Sequence, residues 1–403
     1  MKKTLIAATL ASCGLAAQAQ VSGDVIKVGF LTDMSSVYAD IDGAGGVDAI
    51  KMAIADMKGM AAGKKIEFIF ADHQNKADVA SAKAREWIDT QGLDVLIGGT
   101  NSGANLAMAT VAAEKKKPFI SIGAGSSALT NANCTPYTIH YAYDTVALAN
   151  GTGAAVTKAG GKTWFFLTAD YAFGAALQAD TAAVVAKSGG TVKGSVKHPL
   201  NASDFSSFLL QAQSSGAQIL GLANAGGDAI NAVKAANEFG IVEGGQKLAA
   251  LLLFINDVHS LGLKTAHGLT FTESFYWDLN EGTRAFSKRF QEKATNKAMP
   301  SMTQAGNYAA ILHYLKALDA LGGNPHDGAK VVAKMKELPT DDPLFGKGPL
   351  REDGRRIIPA YLFEVKKPEE SKGPWDYYKL VATIPAEDAA KPLKDSECPL
   401  VKK

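Results

Sequence analysis

The residues best placed to do chemistry sit in two runs of small residues separated by a helix-length segment. Gly98-Gly99-Thr100-Asn101-Ser102 follows the apolar run 94–97, and Gly123-Ala124-Gly125-Ser126-Ser127 follows 118–122. Each apolar run has the length of a strand, and 104–115 between them carries helix formers at helical spacing. In an open parallel sheet both small-residue turns fall at the carboxyl edge, where ligands bind. Small residues let a ligand approach the backbone, and the free N–H groups that open a helix favour an anion. The pattern therefore describes a carboxylate cradle of two adjacent loops, with Ser102 and Ser126 or Ser127 as hydroxyl donors. The plainer alternative is a pair of ordinary strand-to-helix turns, which also use Gly and Ser.

These loops need a scaffold, and the chain has material for one. It holds 403 residues, 47% of them hydrophobic, enough for two or three domains with sizeable cores. The formal net charge is +2. Met1-Lys2-Lys3, the short apolar stretch 4–17 and the Ala17-Gln18-Ala19 site read as a secretory signal peptide over residues 1–19, placing the mature start at Gln20. Its removal takes away Lys2 and Lys3 and leaves 40 basic against 40 acidic residues. Such a balance argues against nucleic acid or a membrane surface as main partner. Leu10-Ala11-Ser12-Cys13 also resembles a lipobox, so a lipid anchor on Cys13 is the alternative to a free periplasmic protein. No other run approaches the roughly 20 apolar residues of a membrane-spanning helix. Once Cys13 has left, Cys134 and Cys398 remain, and an even pair in an exported protein invites a disulfide; two buried free thiols are the alternative.

From Val25 onward, strand-length and helix-length segments alternate. Strands are expected over 25–31, 65–71, 94–97 and 118–122, with helices over 46–58, 77–90 and 104–115. After 137–144 the series restarts: strands over 162–168, 191–197, 218–222, 247–254 and 268–273, with helices over 173–187, 204–214 and 228–239. Repeated βαβ units imply parallel sheets with right-handed crossovers. Helices follow over 281–293, 303–321 and 329–337, then a hairpin-like strand pair over 357–365 and 377–384. The fold class expected is α/β: two Rossmann-like three-layer lobes joined by a hinge of several crossings. Lobe 1 takes residues 20–143 and 275–347, lobe 2 takes 144–274 and 348–385, and a tail over 386–403 is tied back by the cysteine pair.

Signatures of catalysis are missing. Gly161-Lys162-Thr163 lacks the upstream glycine of a phosphate-binding loop, because that position is Val156, and its Lys precedes a strand. The dinucleotide fingerprint begun at Gly151-Thr152-Gly153 fails at Val156. There is no Cys-x-x-Cys, and the seven His residues show no ligand spacing, so no metal or cofactor is expected. Gly123-Ala124-Gly125-Ser126-Ser127 is not a nucleophile elbow. A triad through His140 is the remaining enzyme reading, and a structural His near a strand is the commoner case. A cleft between two hinged lobes that closes on a small molecule fits better.

At this point the chain resembles the branched-chain amino-acid (Leu/Ile/Val) type of periplasmic substrate-binding protein of ABC importers. The resemblance covers nearly all of the mature chain. It is carried by 97–102 (IGGTNS), 120–130 (ISIGAGSSALT) and 169–174 (ADYAFG). It implies the class I periplasmic binding fold, an importer permease as partner and a monomer as the working state. It also implies that a ligand carboxylate meets Ser102, Gly123 and Gly125, with Ser126 standing in for a Thr hydroxyl that Gly125 lacks, and that Tyr38 stacks on the ligand. The amine side departs from the pattern. Phe173 stands where amino-acid receptors have Tyr, 223–227 (ANAGG) lacks an aromatic residue, and 253–256 (LFIN) lacks an acid. Only Asp257, one or two positions away, could meet an α-ammonium, which needs an acidic partner once desolvated. Phe173 and Phe254 would form an apolar end wall, and Tyr171 and Asn224 would bond a ring hydroxyl. The resemblance thus favours an aromatic or other hydrophobic carboxylate over a branched-chain amino acid. A ligand sensor uncoupled from transport is the alternative of another class.

Overall fold

The computed structural model describes residues 25–322 and 324–402. The expected signal segment, with Cys13 and the cleavage site, lies outside them. The first lobe is built on β1 (Val25–Thr32), β2 (Met60–Ala61), β3 (Lys64–Asp72), β4 (Val95–Gly98), β5 (Phe119–Ser121) and β6 (Thr138–His140). Their order is β2-β3-β1-β4-β5-β6, parallel throughout apart from the short β2–β3 pair. All four residues of β4 are buried, as the apolar run required of a strand covered on both faces. The second lobe holds β7 (Thr163–Ala169), β8 (Thr191–His198), β9 (Ile219–Ala223) and β10 (Lys247–Ala250), in the parallel order β10-β9-β7-β8.

Both sheets have a switch point. β1 pairs with β3 on one side and β4 on the other, and β7 does the same with β8 and β9. Chain connections leave in opposite directions there, which opens a crevice at the carboxyl ends of the strands. The two crevices face each other. A third, antiparallel sheet continues the second lobe, with β11 (Thr270–Glu273), β14 (Ala360–Val365) and β15 (Tyr378–Ile384) in the order β11-β14-β15. Between them in sequence, β12 (Thr340–Asp342) and β13 (Gly346–Gly348) form a two-stranded hairpin that the sequence reading missed. It is clasped by Arg356, whose guanidinium lies 4.3 Å from the Tyr141 ring centroid and bonds Asp342 at 2.6 Å.

Of the late helices, Glu281–Lys293 and Met302–Ala320 pack on helix Gly43–Asp56 of the first lobe. Tyr141 Oη donates to the Ala309 carbonyl at 3.3 Å. Where the chain passes between lobes, Arg355 Nε bonds the Asp144 carboxylate at 2.7 Å, and both side chains are buried. Cys134 and Cys398 are bonded across 264 residues of sequence. Beside them, Asn131 and Glu397 exchange two hydrogen bonds of 2.7 Å, so the tail is held against the loop that follows the second small-residue run.

One boundary differs in a way that matters for the site. The strand expected over 247–254 stops at Ala250, and a helix starts at Ile255. The Asp257 carboxylate accepts the Phe254 N–H at 3.0 Å and so caps that helix from within its first turn. Residues 251–254 therefore turn across the cleft instead of continuing the sheet.

Candidate functional site

A cavity of about 250 Å³ lies between the lobes. Its lining comes from the carboxyl ends of strands in both lobes: Tyr38 after β1, Thr100 to Ser102 after β4, Gly123 and Gly125 after β5, Tyr143 after β6, Tyr171 and Phe173 after β7, and Phe254 after β10.

The cradle is assembled by short-range hydrogen bonds. Asn101 has φ +74°, a left-handed conformation that Asn tolerates, and its Oδ1 accepts the Ala104 N–H at 2.9 Å. The helix therefore starts at Ser102, two residues before the sequence placed it, with its first residue in the cavity lining. Asn105 fastens the two loops together. Its Nδ2 donates to the Gly99 carbonyl at 2.8 Å, and its Oδ1 accepts the Ser121 hydroxyl at 2.8 Å. Ser102 Oγ accepts the Ser126 N–H at 3.1 Å, which leaves the Ser102 proton for a ligand. Gly123 and Gly125 are required by space. A Cβ on Gly123 would stand 2.8 Å from the Thr100 nitrogen, and one on Gly125 would stand 2.8 Å from both the Phe173 and Tyr143 rings.

A buried polar layer supports the cradle from behind. The Asp42 carboxylate accepts Asn307 Nδ2 at 2.6 Å and lies against the Gly99–Gly123 contact. Burial pushes its carboxyl up to about 7, against the pull of the Asn307 and Thr32 hydrogen bonds. His73 Nε2 bonds the Thr100 carbonyl at 3.1 Å, and burial holds this imidazole below its usual range. His140 Nε2 bonds the Ala124 carbonyl at 2.6 Å, and burial, with Arg355 nearby, lowers it to about 4. It is thus a neutral brace for the second loop, not the base of a triad.

The opposite wall is aromatic. Asp33 wraps the loop after β1 by accepting the N–H groups of Ser36 and Tyr38, which aims Tyr38 across the cleft. Tyr38 and Tyr171 join their hydroxyls at 2.6 Å, one from each lobe, and the Gly227 N–H donates to the Val37 carbonyl at 3.1 Å beside them. The lobes are thus closed on each other. Tyr171 and Phe173 lie 6.1 Å apart by ring centroids, and Phe254 meets the Tyr143 ring edge-on at 6.2 Å. Burial raises the Tyr38 and Tyr171 hydroxyls above their ordinary values, so both act as neutral hydrogen-bonding groups.

Seven of the nine expected ligand residues line this cavity, namely Ser102, Gly123, Gly125, Tyr38, Tyr171, Phe173 and Phe254. Two do not. Ser126 Oγ accepts the Ala128 N–H and caps a short turn, its own N–H serves Ser102, and the residue stands outside the lining. Asn224 points to His198, whose Nε2 lies 3.1 Å from its Nδ2, away from the lining. Asp257 is also outside the lining, committed to the Phe254 N–H and pushed up to about 7 by burial. Among the described residues, no acidic or basic side chain lines the cavity. Sequence reasoning missed Thr100, Asn101 and Tyr143. The Asn before a helical run was a legible cap signal, whereas nothing in the pattern around Tyr143 marks it as a wall.

A family model described as periplasmic binding protein matches residues 25–373. The chain belongs to that family. Three solved structures show its range. A periplasmic binding protein from Burkholderia mallei is 60% identical, with a TM-score of 0.92 over 94% of this chain and 100% of its own. A branched chain amino acid ABC transporter periplasmic ligand-binding protein from Burkholderia xenovorans is 40% identical, with a TM-score of 0.82 over 94% of this chain and 100% of its own. A solute-binding protein of an ABC transporter from Rhodopseudomonas palustris, in complex with 3,4-dihydroxybenzoic acid, is 25% identical, with a TM-score of 0.80 over 90% of this chain and 98% of its own. The chain is thus a periplasmic, ABC-type solute-binding protein with the two-lobed fold of its class. Its relatives bind substrates and are not enzymes. No helix among the described residues is long and apolar enough to cross a membrane, and no group of three or more His, Cys, Asp or Glu in them could hold a metal ion.

Proposed function

We propose that this periplasmic binding protein captures an aromatic or similarly hydrophobic carboxylate and delivers it, as a monomer, to an ABC importer permease. The observation that carries the reading is that, among the described residues, no acidic side chain lines the cavity. An α-ammonium closed into this space would lose its water and meet only neutral groups, a cost of several kcal/mol for an uncompensated ion. A carboxylate alone is matched by the Ser102 hydroxyl and the N–H groups that open its helix. The rings of Tyr143, Tyr171, Phe173 and Phe254 supply apolar surface for the remainder. The Tyr38 and Tyr171 hydroxyls can serve a ring hydroxyl, and the Rhodopseudomonas palustris relative was solved with a dihydroxybenzoic acid.

A branched-chain amino-acid ligand is the second reading, favoured by the name of the 40% identical Burkholderia xenovorans relative. Thermal denaturation of the mature protein, refolded to remove carried-over ligand, separates the two. Benzoate, 4-hydroxybenzoate, p-coumarate and phenylacetate are compared with L-leucine, L-isoleucine and L-valine. A ligand present at a hundred times its Kd adds about 2.7 kcal/mol to stability, an easily visible shift. Stabilisation by the aromatic acids alone is expected. Stabilisation by leucine or its relatives would sink the reading.

A further inference from the structure

A second cavity, of about 230 Å³, lies at the hinge. It is walled by Ala147, Leu148, Ile358 and Ala360, with the buried Glu273 carboxyl and Arg355 also at its boundary. Glu273 accepts the Tyr378 hydroxyl at 3.0 Å, and burial raises its carboxyl well above the ordinary range. The guanidinium of Arg355 is already engaged by Asp144 and the His140 carbonyl. The chamber is therefore mostly apolar, with its charged groups largely satisfied. One residue is common to this lining and to that of the ligand cavity, and it is Tyr143.

The Tyr143 ring is held in place on three sides. Its hydroxyl donates to the Gly123 carbonyl at 2.9 Å, its ring packs nearly perpendicular to Phe254, and its Cε2 fills the space that a side chain at position 125 would take. A ring fixed in this way is a partition. We propose that Tyr143 is the specificity-determining residue that limits ligand size, and that the hinge chamber behind it is space withheld from the ligand site. With the ring in place, the site takes a single-ring acid. With the ring removed, the two cavities become one, and the apolar part of the hinge chamber accepts a fused or second ring. This inference rests on the aromatic-carboxylate reading for its choice of ligand.

The test compares benzoate with 2-naphthoate by calorimetry on the wild type, Tyr143→Phe and Tyr143→Ala, with L-valine and L-tryptophan as a matched small and large pair. Wild type and Tyr143→Phe are expected to prefer the small acid by at least about tenfold, since both keep the ring. Tyr143→Ala is expected to lose that preference and gain 2-naphthoate. If the protein binds only compounds with an amine, the aromatic reading fails, and the partition is then judged on valine against tryptophan. A folded Tyr143→Ala protein that gains no larger ligand overturns the proposal. So does a wild type that binds 2-naphthoate as tightly as benzoate, a result that needs no variant. Tyr143→Leu, which also removes the ring while filling more of its space, replaces the alanine variant if that one does not fold.

Discussion

Ser102 and Ser126 looked alike in the sequence, and the structure gives them opposite duties. Ser102 Oγ receives the Ser126 N–H at 3.1 Å and keeps its own proton for the cleft. Ser126 stands outside the cavity lining, and its Oγ serves the Ala128 N–H. Replacing Ser102 with Ala removes a hydrogen bond to a charged ligand, worth about 1.5–3 kcal/mol. Affinity for the carboxylate ligand should fall roughly 10- to 150-fold. The same change leaves the buried Ser126 N–H without an acceptor, so the unliganded protein should lose about 1–3 kcal/mol of stability. Ser126→Ala should cost about 1 kcal/mol of stability or less, as a weak turn cap, and leave affinity within about threefold. Calorimetric titration with whichever carboxylate stabilises the wild type gives the affinities, and urea melts of the unliganded variants give the stabilities. Equal losses of affinity in the two variants would refute the assignment of the cradle. So would an Ser102→Ala protein that loses stability and keeps its affinity, because the hydroxyl would then serve only the loop.

Three further outcomes are expected. Tyr38→Phe removes the 2.6 Å bond to Tyr171 that ties one lobe to the other; it should shift the protein toward the open state, weakening ligand binding by about 2- to 13-fold with an expanded unliganded envelope in small-angle scattering. The Asp42 carboxyl is raised to about 7 in the fold; a raised carboxyl contributes stability that is full below its unfolded value near 4 and lost as pH rises toward 7. Asp42→Asn, which mimics the protonated form, should therefore gain on the wild type by up to about 1.4 kcal/mol per pH unit across that window, and denaturant melts at pH 4.5 and 7.5 showing no such divergence would count against a buried neutral carboxyl. The Cys134–Cys398 bond lies away from the ligand cavity; Cys134→Ser with Cys398→Ser should lower stability by about 2–5 kcal/mol and leave affinity unchanged, as read by thermal melts and titration.

The amino-acid sequence by itself determined the plan. Alternating apolar runs and helix-length segments are local patterns, so the βαβ series, the two lobes and the late helices were legible from spacing alone. The placement of the two small-residue loops beside one another was legible for the same reason, since Gly98 to Ser102 and Gly123 to Ser127 each sit at the end of an apolar run, and a parallel sheet brings adjacent runs to one edge. The expected pairing of Cys134 with Cys398 likewise matched the bonded pair in the structure.

What depends on orientation was decided only by the tertiary structure. Ser126 and Asn224 were plausible donors by position, yet one caps a turn and the other faces His198, because a side chain takes the partner nearest to it in space. Asp257 was the one acid near enough in sequence to meet an amine, and the helix it caps holds it outside the cavity. Tyr143 carried no signal at all. It became a wall because β6, next to β5 in the same sheet, brings it to the Gly123 carbonyl, while Phe254 reaches it from the other lobe, far away in sequence. Periodicity reports which face of an element is buried, but the partner that a buried polar group or ring finds there depends on packing between elements far apart in the chain.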